Sequence, residues 1–111
     1  MTFLYLSSDT MGSGTDEELG EKLLALFVEK LAASDTTIDM VGCVNGAVYL
    51  TTREGRVLES LRLLERRGAR IASCGTCLDH LNLRSSLLIG EIGSMDQTVQ
   101  VMAKADRVIR P

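Results

Sequence analysis

Two cysteines three positions apart, Cys74 and Cys77, are the residues of this sequence best suited to chemistry. The segment Cys74-Gly75-Thr76-Cys77 follows a predicted strand and opens a predicted helix. Unpaired N–H groups at a helix start stabilise a thiolate, and such sites lower the thiol pKa from ~8.5 toward roughly 3.5–7.5. We therefore predict that Cys74 is the nucleophile. Cys77 shares its helix face and would resolve a disulfide or persulfide.

Two other interpretations of the cysteines remain open. Buried cysteines often act as small hydrophobic residues, which is also the simplest account of Cys43 in a predicted strand. The second interpretation is a metal site, since Cys74, Cys77 and His80 are evenly spaced and Cys43 could add a fourth ligand. Structural zinc usually takes its four ligands from two separate pairs, and the chain has only one such pair. We therefore expect neither a metal nor another cofactor.

The segment Ser8–Gly14 is a polar loop whose glycines, Gly12 and Gly14, precede a predicted helix. Backbone N–H groups in such a loop can bind an anion. The loop lacks the third glycine of a dinucleotide site and the Gly-Lys-Ser/Thr of a phosphate-binding loop. It is either a flexible connection or one lip of an active site.

Short apolar runs alternate with amphipathic stretches along the chain, which is typical of βαβ units and a mainly parallel sheet. The carboxyl ends of parallel strands share one edge, where ligands bind. That edge would gather Ser7–Gly14, Cys43–Gly46 and Cys74–Cys77, so the predicted substrate-binding residues are Gly12, Gly14, Asn45, Gly75 and Thr76. The predicted strands are Phe3–Ser7, Ile38–Val44, Arg70–Ser73, Leu87–Ile89 and Arg107–Ile109.

Apolar spacing and capping residues predict the helices between these strands. The first is capped by Thr15 with Glu18 and runs to about Ala33, and Ala47–Leu50 is a strand extension or a helical turn. Thr51 with Glu54, and Ser94 with Gln97, are two further capping pairs, and Gly68 would end the second long helix. The helical apolar positions are Leu19, Leu23, Leu26, Phe27 and Leu31, then Val57, Leu58, Leu61 and Leu64, then Val99, Met102 and Ala103 facing inward.

Composition excludes several classes of protein. The chain has 111 residues, of which 45% are apolar, so we expect one domain, residues 1–111, with its own core. A net charge of −3 with no Trp disfavours nucleic-acid binding. No apolar run approaches the ~18 residues of a membrane span, and the N-terminus does not resemble a signal peptide. Three cysteines do not form a secreted disulfide framework, so we expect a cytoplasmic protein.

The sequence resembles the DsrE-like superfamily, and within it the C-terminal domain of YedF-type proteins linked to selenium metabolism. The matching segments are Ser8–Gly14, Glu18–Gly20, Val44–Val48, Gly68–Asp79 and Gly90–Met95, in the family's order. The resemblance implies a three-layer α/β/α sandwich around a five-stranded, mainly parallel sheet, and it implies homo-oligomers. Several relatives carry a persulfide on a cysteine after the third strand, a position that Cys74 matches.

The sequence also departs from the YedF pattern. Those proteins usually carry an N-terminal sulfur-carrier domain, which these 111 residues do not include, and often have Asn where this chain has Ser94. Cys43 is not a usual feature of the family. A function that depends on the carrier domain is therefore not implied for these residues.

Three hypotheses of function follow. The first is a sulfur or selenium relay, a sulfurtransferase-like carrier with a persulfide on Cys74, serving donor and acceptor proteins. The second is a dithiol–disulfide oxidoreductase or redox sensor, although no internal proline supplies the cis-proline of thioredoxins. The third is a non-catalytic oligomeric module with inert or metal-bound cysteines.

Overall fold

A computed structural model describes all 111 residues and contains one five-stranded parallel sheet with the strand order β4-β3-β2-β1-β5. The strands are β1 (Thr2–Leu6), β2 (Met40–Cys43), β3 (Arg70–Cys74), β4 (Glu91–Gly93) and β5 (Arg107–Ile109). The helices are α1 (Glu17–Ala33), α2 (Tyr49–Thr52), α3 (Arg56–Arg66), α4 (Gly75–His80) and α5 (Met95–Lys104). Single 3₁₀ turns occupy Asn45–Val48 and Arg84–Ser86.

Helices cover both faces of the sheet, which confirms the predicted three-layer α/β/α sandwich. Helices α1 and α3 pack on one face, where Leu24 and Leu61 join Leu4, Val41 and Ile71 in the main core. Helix α5 carries the chain from one edge of the sheet back to the other. It lies over the opposite face, where Thr98 and Val101 line a small space with Phe3, Gly42 and Ala72. None of the helices combines the length and apolar character needed to cross a membrane.

The position of the fourth strand was predicted wrongly, because pairing begins after Leu87–Ile89 rather than within it. Ile89 is buried in the main core, and the Leu88 N–H donates to the carbonyl of Thr51 at 2.9 Å instead of joining the sheet. Gly90 then turns the chain with a φ of +73°, and Glu91–Gly93 pairs with β3. The apolar run anchors the connection, and the more polar residues after it form the strand.

The buried face of α1 also differs from the prediction. Leu19, Leu23 and Leu26 are exposed, with 53% of Leu19 accessible to solvent. The buried residues are Gly20, Leu24, Ala25, Val28 and Ala32. Apolar residues surround most of this helix, so helical spacing alone was consistent with more than one buried face. The predicted face of α3 is confirmed, since Val57, Leu58, Leu61 and Leu64 are all buried.

The apolar residues of α5 that were predicted to face inward are exposed to solvent. Val99 is 61% and Met102 38% accessible, and Ala103 is exposed as well. Thr98 and Val101 face the sheet instead. A helix that crosses the sheet at one face buries only the residues directly beneath it, so α5 leaves an apolar surface uncovered.

Two of the predicted helix caps are corrected and two are confirmed. Asp16, not Thr15, caps α1 by accepting the N–H of Leu19 at 3.0 Å. Thr51 lies inside α2 and is therefore not a cap. The segment Ala47–Leu50 is helical, and α3 starts after Gly55 without a side-chain cap.

Ser94 caps α5 as predicted and forms a reciprocal capping box with Gln97. Gly68 follows α3 with a φ of +108°, the conformation expected of a residue that ends a helix.

Candidate functional site

Strands β1, β2 and β3 end side by side at one edge of the sheet. Leu6 pairs with Cys43, and Cys43 with Ser73, so the segments after these residues emerge together. Behind this edge, the hydroxyls of Thr51 and Ser73 form a buried hydrogen bond of 2.7 Å. That bond ties the end of β3 to the helical segment that follows β2 and fixes where the cysteine pair lies.

Cys74 is the last residue of β3 and is almost completely enclosed. It pairs with Gly93 in the sheet, and only 6% of its surface is accessible. The space beside it, which Gly93, Ser94 and Gln97 also line, amounts to about 10 Å³. That volume barely holds one water molecule.

Gly75 keeps the start of α4 close to its neighbours. A Cβ on Gly75 would lie 3.1 Å from Ile92 Cγ2, 3.2 Å from Arg84 Nη2 and 3.3 Å from the Gly93 carbonyl oxygen. Such distances are tight for a side chain. The glycine therefore allows close packing around Cys74.

Cys77 is half-buried and forms a hydrogen bond with the segment that follows β2. Its Sγ accepts the backbone N–H of Asn45 at 3.2 Å. Asn45 has a φ of +53°, a left-handed conformation that is uncommon outside glycine but tolerated by asparagine. Both cysteines are free thiols.

The pKa of the Cys77 thiol lies above its ordinary value. Burial is the main cause, because an ionised sulfur would lose solvation, and the neighbouring Cys74 thiol raises this pKa further. The Asn45 N–H acts in the opposite direction by stabilising the thiolate. Cys77 is therefore predominantly a protonated thiol at neutral pH.

The other predicted site residues lie at different distances from the pair. Thr76 is exposed on α4 between the cysteines, whereas Gly12 and Gly14 line a groove of about 460 Å³ beside the start of α1 that no cysteine lines. The loop after β1 does approach the segment that carries Asn45, because Asp9 lies beside Gly46.

The third cysteine is buried, and the histidine is exposed. Cys43 is buried in the core beneath α1 and α3, and burial raises its pKa to about 12. His80 is exposed at the end of α4. No group of three or more His, Cys, Asp or Glu side chains is arranged to hold a metal ion.

Comparison with known proteins supplies the family. The DsrE/DsrF-like family matches residues 27–111, more than half of the chain and including both Cys74 and Cys77. The chain belongs to the DsrE/DsrF-like family. This family is linked to sulfur relay. A search of curated proteins found no match.

Solved structures show the same fold at low sequence identity. The ychN protein from E. coli is 20% identical over 100% of both chains, with a TM-score of 0.66. MTH1491 from Methanobacterium thermoautotrophicum, a protein of unknown function, is 19% identical with a TM-score of 0.70, over 99% of this chain and 97% of its own. BT1422 from Bacteroides thetaiotaomicron, also of unknown function, is 12% identical with a TM-score of 0.66, over 99% and 94%.

Sequence reasoning missed several residues that hold the site of this DsrE/DsrF-like chain together. Arg84 forms a two-point ion pair with Asp79 at 2.6 and 2.9 Å, which lowers the pKa of Asp79 and links α4 to the following 3₁₀ turn. Thr51 and Ser73 are 22 positions apart, and no local pattern connects them. Ser73 and Asp79 lie in the segment Gly68–Asp79 that the resemblance had singled out, whereas Thr51 and Arg84 lie outside the matching segments.

Proposed function

We propose that residues 1–111 form a single cytoplasmic DsrE-like domain that carries sulfur, or selenium, as a persulfide on the Cys74–Cys77 pair. The observation that carries this proposal is the meeting of two free thiols with the Asn45 N–H at the strand ends of a DsrE/DsrF-like fold. The resemblance to YedF-type domains is the reason for including selenium. Donor and acceptor proteins would be the partners.

The transfer needs no metal and no redox cofactor. A cysteine thiolate attacks the outer sulfur of a donor persulfide, a new S–S bond forms, and the donor leaves as a thiolate. The number of S–S bonds is unchanged, so no external oxidant is required. The exposed residues Asn45 and Thr76, together with the backbone of the buried Gly75, would contact the sulfur being transferred, and the Gly12–Gly14 loop would contact the partner protein.

A dithiol–disulfide function is the second candidate, and one observation favours it. The Cys74 thiol lies close enough to Cys77 to raise the pKa of the Cys77 thiol. Closing them into a disulfide would remove two hydrogens and require an oxidant. The two functions therefore leave different changes in mass.

Intact mass spectrometry of the anaerobically purified protein tests the proposal. After incubation with glutathione persulfide, we expect the wild type to gain the mass of one sulfur atom and the Cys74→Ser, Cys77→Ser double variant to gain none. Cys43→Ser is the matched control and should gain sulfur as the wild type does, because Cys43 is buried in the core. Loss of two hydrogens without a sulfur adduct would favour the dithiol function instead.

We also propose that the protein is a homo-oligomer that associates through the exposed apolar surface of β4 and α5. This surface comprises Ile92, Met95, Val99 and Met102, which leave apolar area exposed above a sheet face that one helix covers. Light scattering coupled to size exclusion should give a multiple of 12.1 kDa, and Val99→Glu should reduce it. Leu19→Glu, on an exposed apolar position of α1, is the control. A wild-type mass of one chain would contradict the proposal.

A further inference from the structure

The two cysteines of the pair differ sharply in access. Cys74 is buried at the end of β3, whereas Cys77 is half-buried on α4 and faces the exposed residue Asn45. A donor persulfide must bring two sulfur atoms and its own bulk into line with the attacking thiolate. The thiol that meets the donor must therefore have open space beside it.

The surroundings of Cys74 leave no such space. Gly93, Ser94 and Gln97 enclose it with a cavity of about 10 Å³, and Ile92 and Arg84 close on the adjacent Gly75. Sheet pairing with Gly93 holds β4 beside Cys74, so a donor cannot reach this sulfur from the side of β4. The Cys77 thiol forms a hydrogen bond with the Cys74 thiol, so it is close enough to exchange sulfur with Cys74.

Cys77 has a hydrogen-bond donor beside it that stabilises its thiolate. The left-handed conformation of Asn45 points its N–H at the Cys77 sulfur, at 3.2 Å. A hydrogen bond to an ionised sulfur is stronger than one to a neutral thiol. The bond therefore stabilises the thiolate that attacks, and it needs no rearrangement of the backbone when the charge develops.

We infer that Cys77 takes sulfur from the donor and passes it to Cys74, which stores it; this inference rests on the proposed function. In the first step, the Cys77 thiolate attacks the donor's outer sulfur and the donor leaves as its thiolate, giving a Cys77 persulfide. In the second, the Cys74 thiolate attacks that outer sulfur and Cys77 leaves as a thiolate. Each step forms one S–S bond and breaks one. The stored sulfur lies toward Cys77, shielded from dissolved thiols by β4 and α5.

The test compares single cysteine variants with glutathione persulfide as the probe. After quenching with iodoacetamide, intact mass spectrometry should show that Cys74→Ala loads close to the wild-type rate and that Cys77→Ser loads at least about tenfold more slowly. On removal of the donor and addition of dithiothreitol, the adduct of Cys74→Ala should disappear at least about tenfold faster than that of the wild type. Cys43→Ser should match the wild type in both measurements, and Cys74→Ser serves as a second variant if Cys74→Ala does not fold.

The outcomes of this test distinguish failure of the proposed function from failure of the order of the two thiols or of the storage role of Cys74. If the wild type takes up no sulfur, the proposed function fails and this inference fails with it. If the wild type loads and Cys77→Ser loads equally fast, only the order of the two thiols is wrong. Adducts of Cys74→Ala and wild type that are equally sensitive to dithiothreitol would remove the storage role of Cys74.

Discussion

The rate at which iodoacetamide alkylates Cys77 is expected to rise about tenfold between pH 7 and pH 8 and to keep rising beyond pH 9. Only the thiolate reacts, and burial raises the pKa of Cys77 above its ordinary value. At every pH below that pKa, the thiolate fraction increases by a factor of about ten for each pH unit. The same dependence would make sulfur loading through Cys77 faster in alkaline solution.

The Cys74→Ala variant isolates this measurement, because Cys77 is then the only cysteine outside the core. The variant removes the smaller effect of the Cys74 thiol on the Cys77 pKa, but burial, the main cause of the raised pKa, remains. Peptide mass spectrometry would follow its alkylation over the pH range. Cys43 is an internal control, since it is 1% accessible and burial raises its pKa to about 12, so it should react only after unfolding. A rate that levels off below pH 8 would show a lowered pKa and would contradict the conclusion that burial outweighs the Asn45 hydrogen bond at Cys77.

Replacing Gly90 by alanine is expected to lower the free energy of unfolding by about 2–4 kcal/mol. Gly90 has a φ of +73°, where an L side chain is strained. Its added Cβ would also collide with the backbone carbonyl of Ile71, with the Ile71 carbonyl carbon only 2.8 Å away. Because Ile71 lies in the buried strand β3, neither side of the contact can move without separating β4 from the sheet.

Urea unfolding of a Gly12→Ala variant separates the effect of backbone strain from the effect of the collision with Ile71. Gly12 has nearly the same backbone conformation, with a φ of +77°, but no atom lies within 4 Å of its added Cβ. The Gly12→Ala variant should lose only about 1 kcal/mol of unfolding free energy, which is the cost of placing an L side chain in the left-handed conformation. Equal losses in the two variants would mean that the contact with Ile71 relaxes and that backbone strain accounts for the whole effect at Gly90.

Local patterns in the sequence predicted much of this protein. Alternating apolar and amphipathic runs indicated a mainly parallel α/β sheet, and the structure confirms it with five parallel strands. The capping box of Ser94 and Gln97 spans three residues and was predicted correctly. The position of Cys74 at the end of β3 was also predicted, since a short buried run followed by Cys-Gly-Thr-Cys contains that information within a few residues.

The tertiary structure decided what depends on residues distant in the chain. Apolar side chains on most sides of α1 left its buried face undetermined until packing selected Leu24 and Val28. The contact of Asn45 with Cys77 crosses 32 positions and exists only because β2 and β3 end side by side. The unequal access of Cys74 and Cys77 likewise comes from β4 and α5, which fold over one thiol and leave the other partly open. Local periodicity determines which elements form, whereas long-range packing determines which atoms meet and which sulfur a partner can reach.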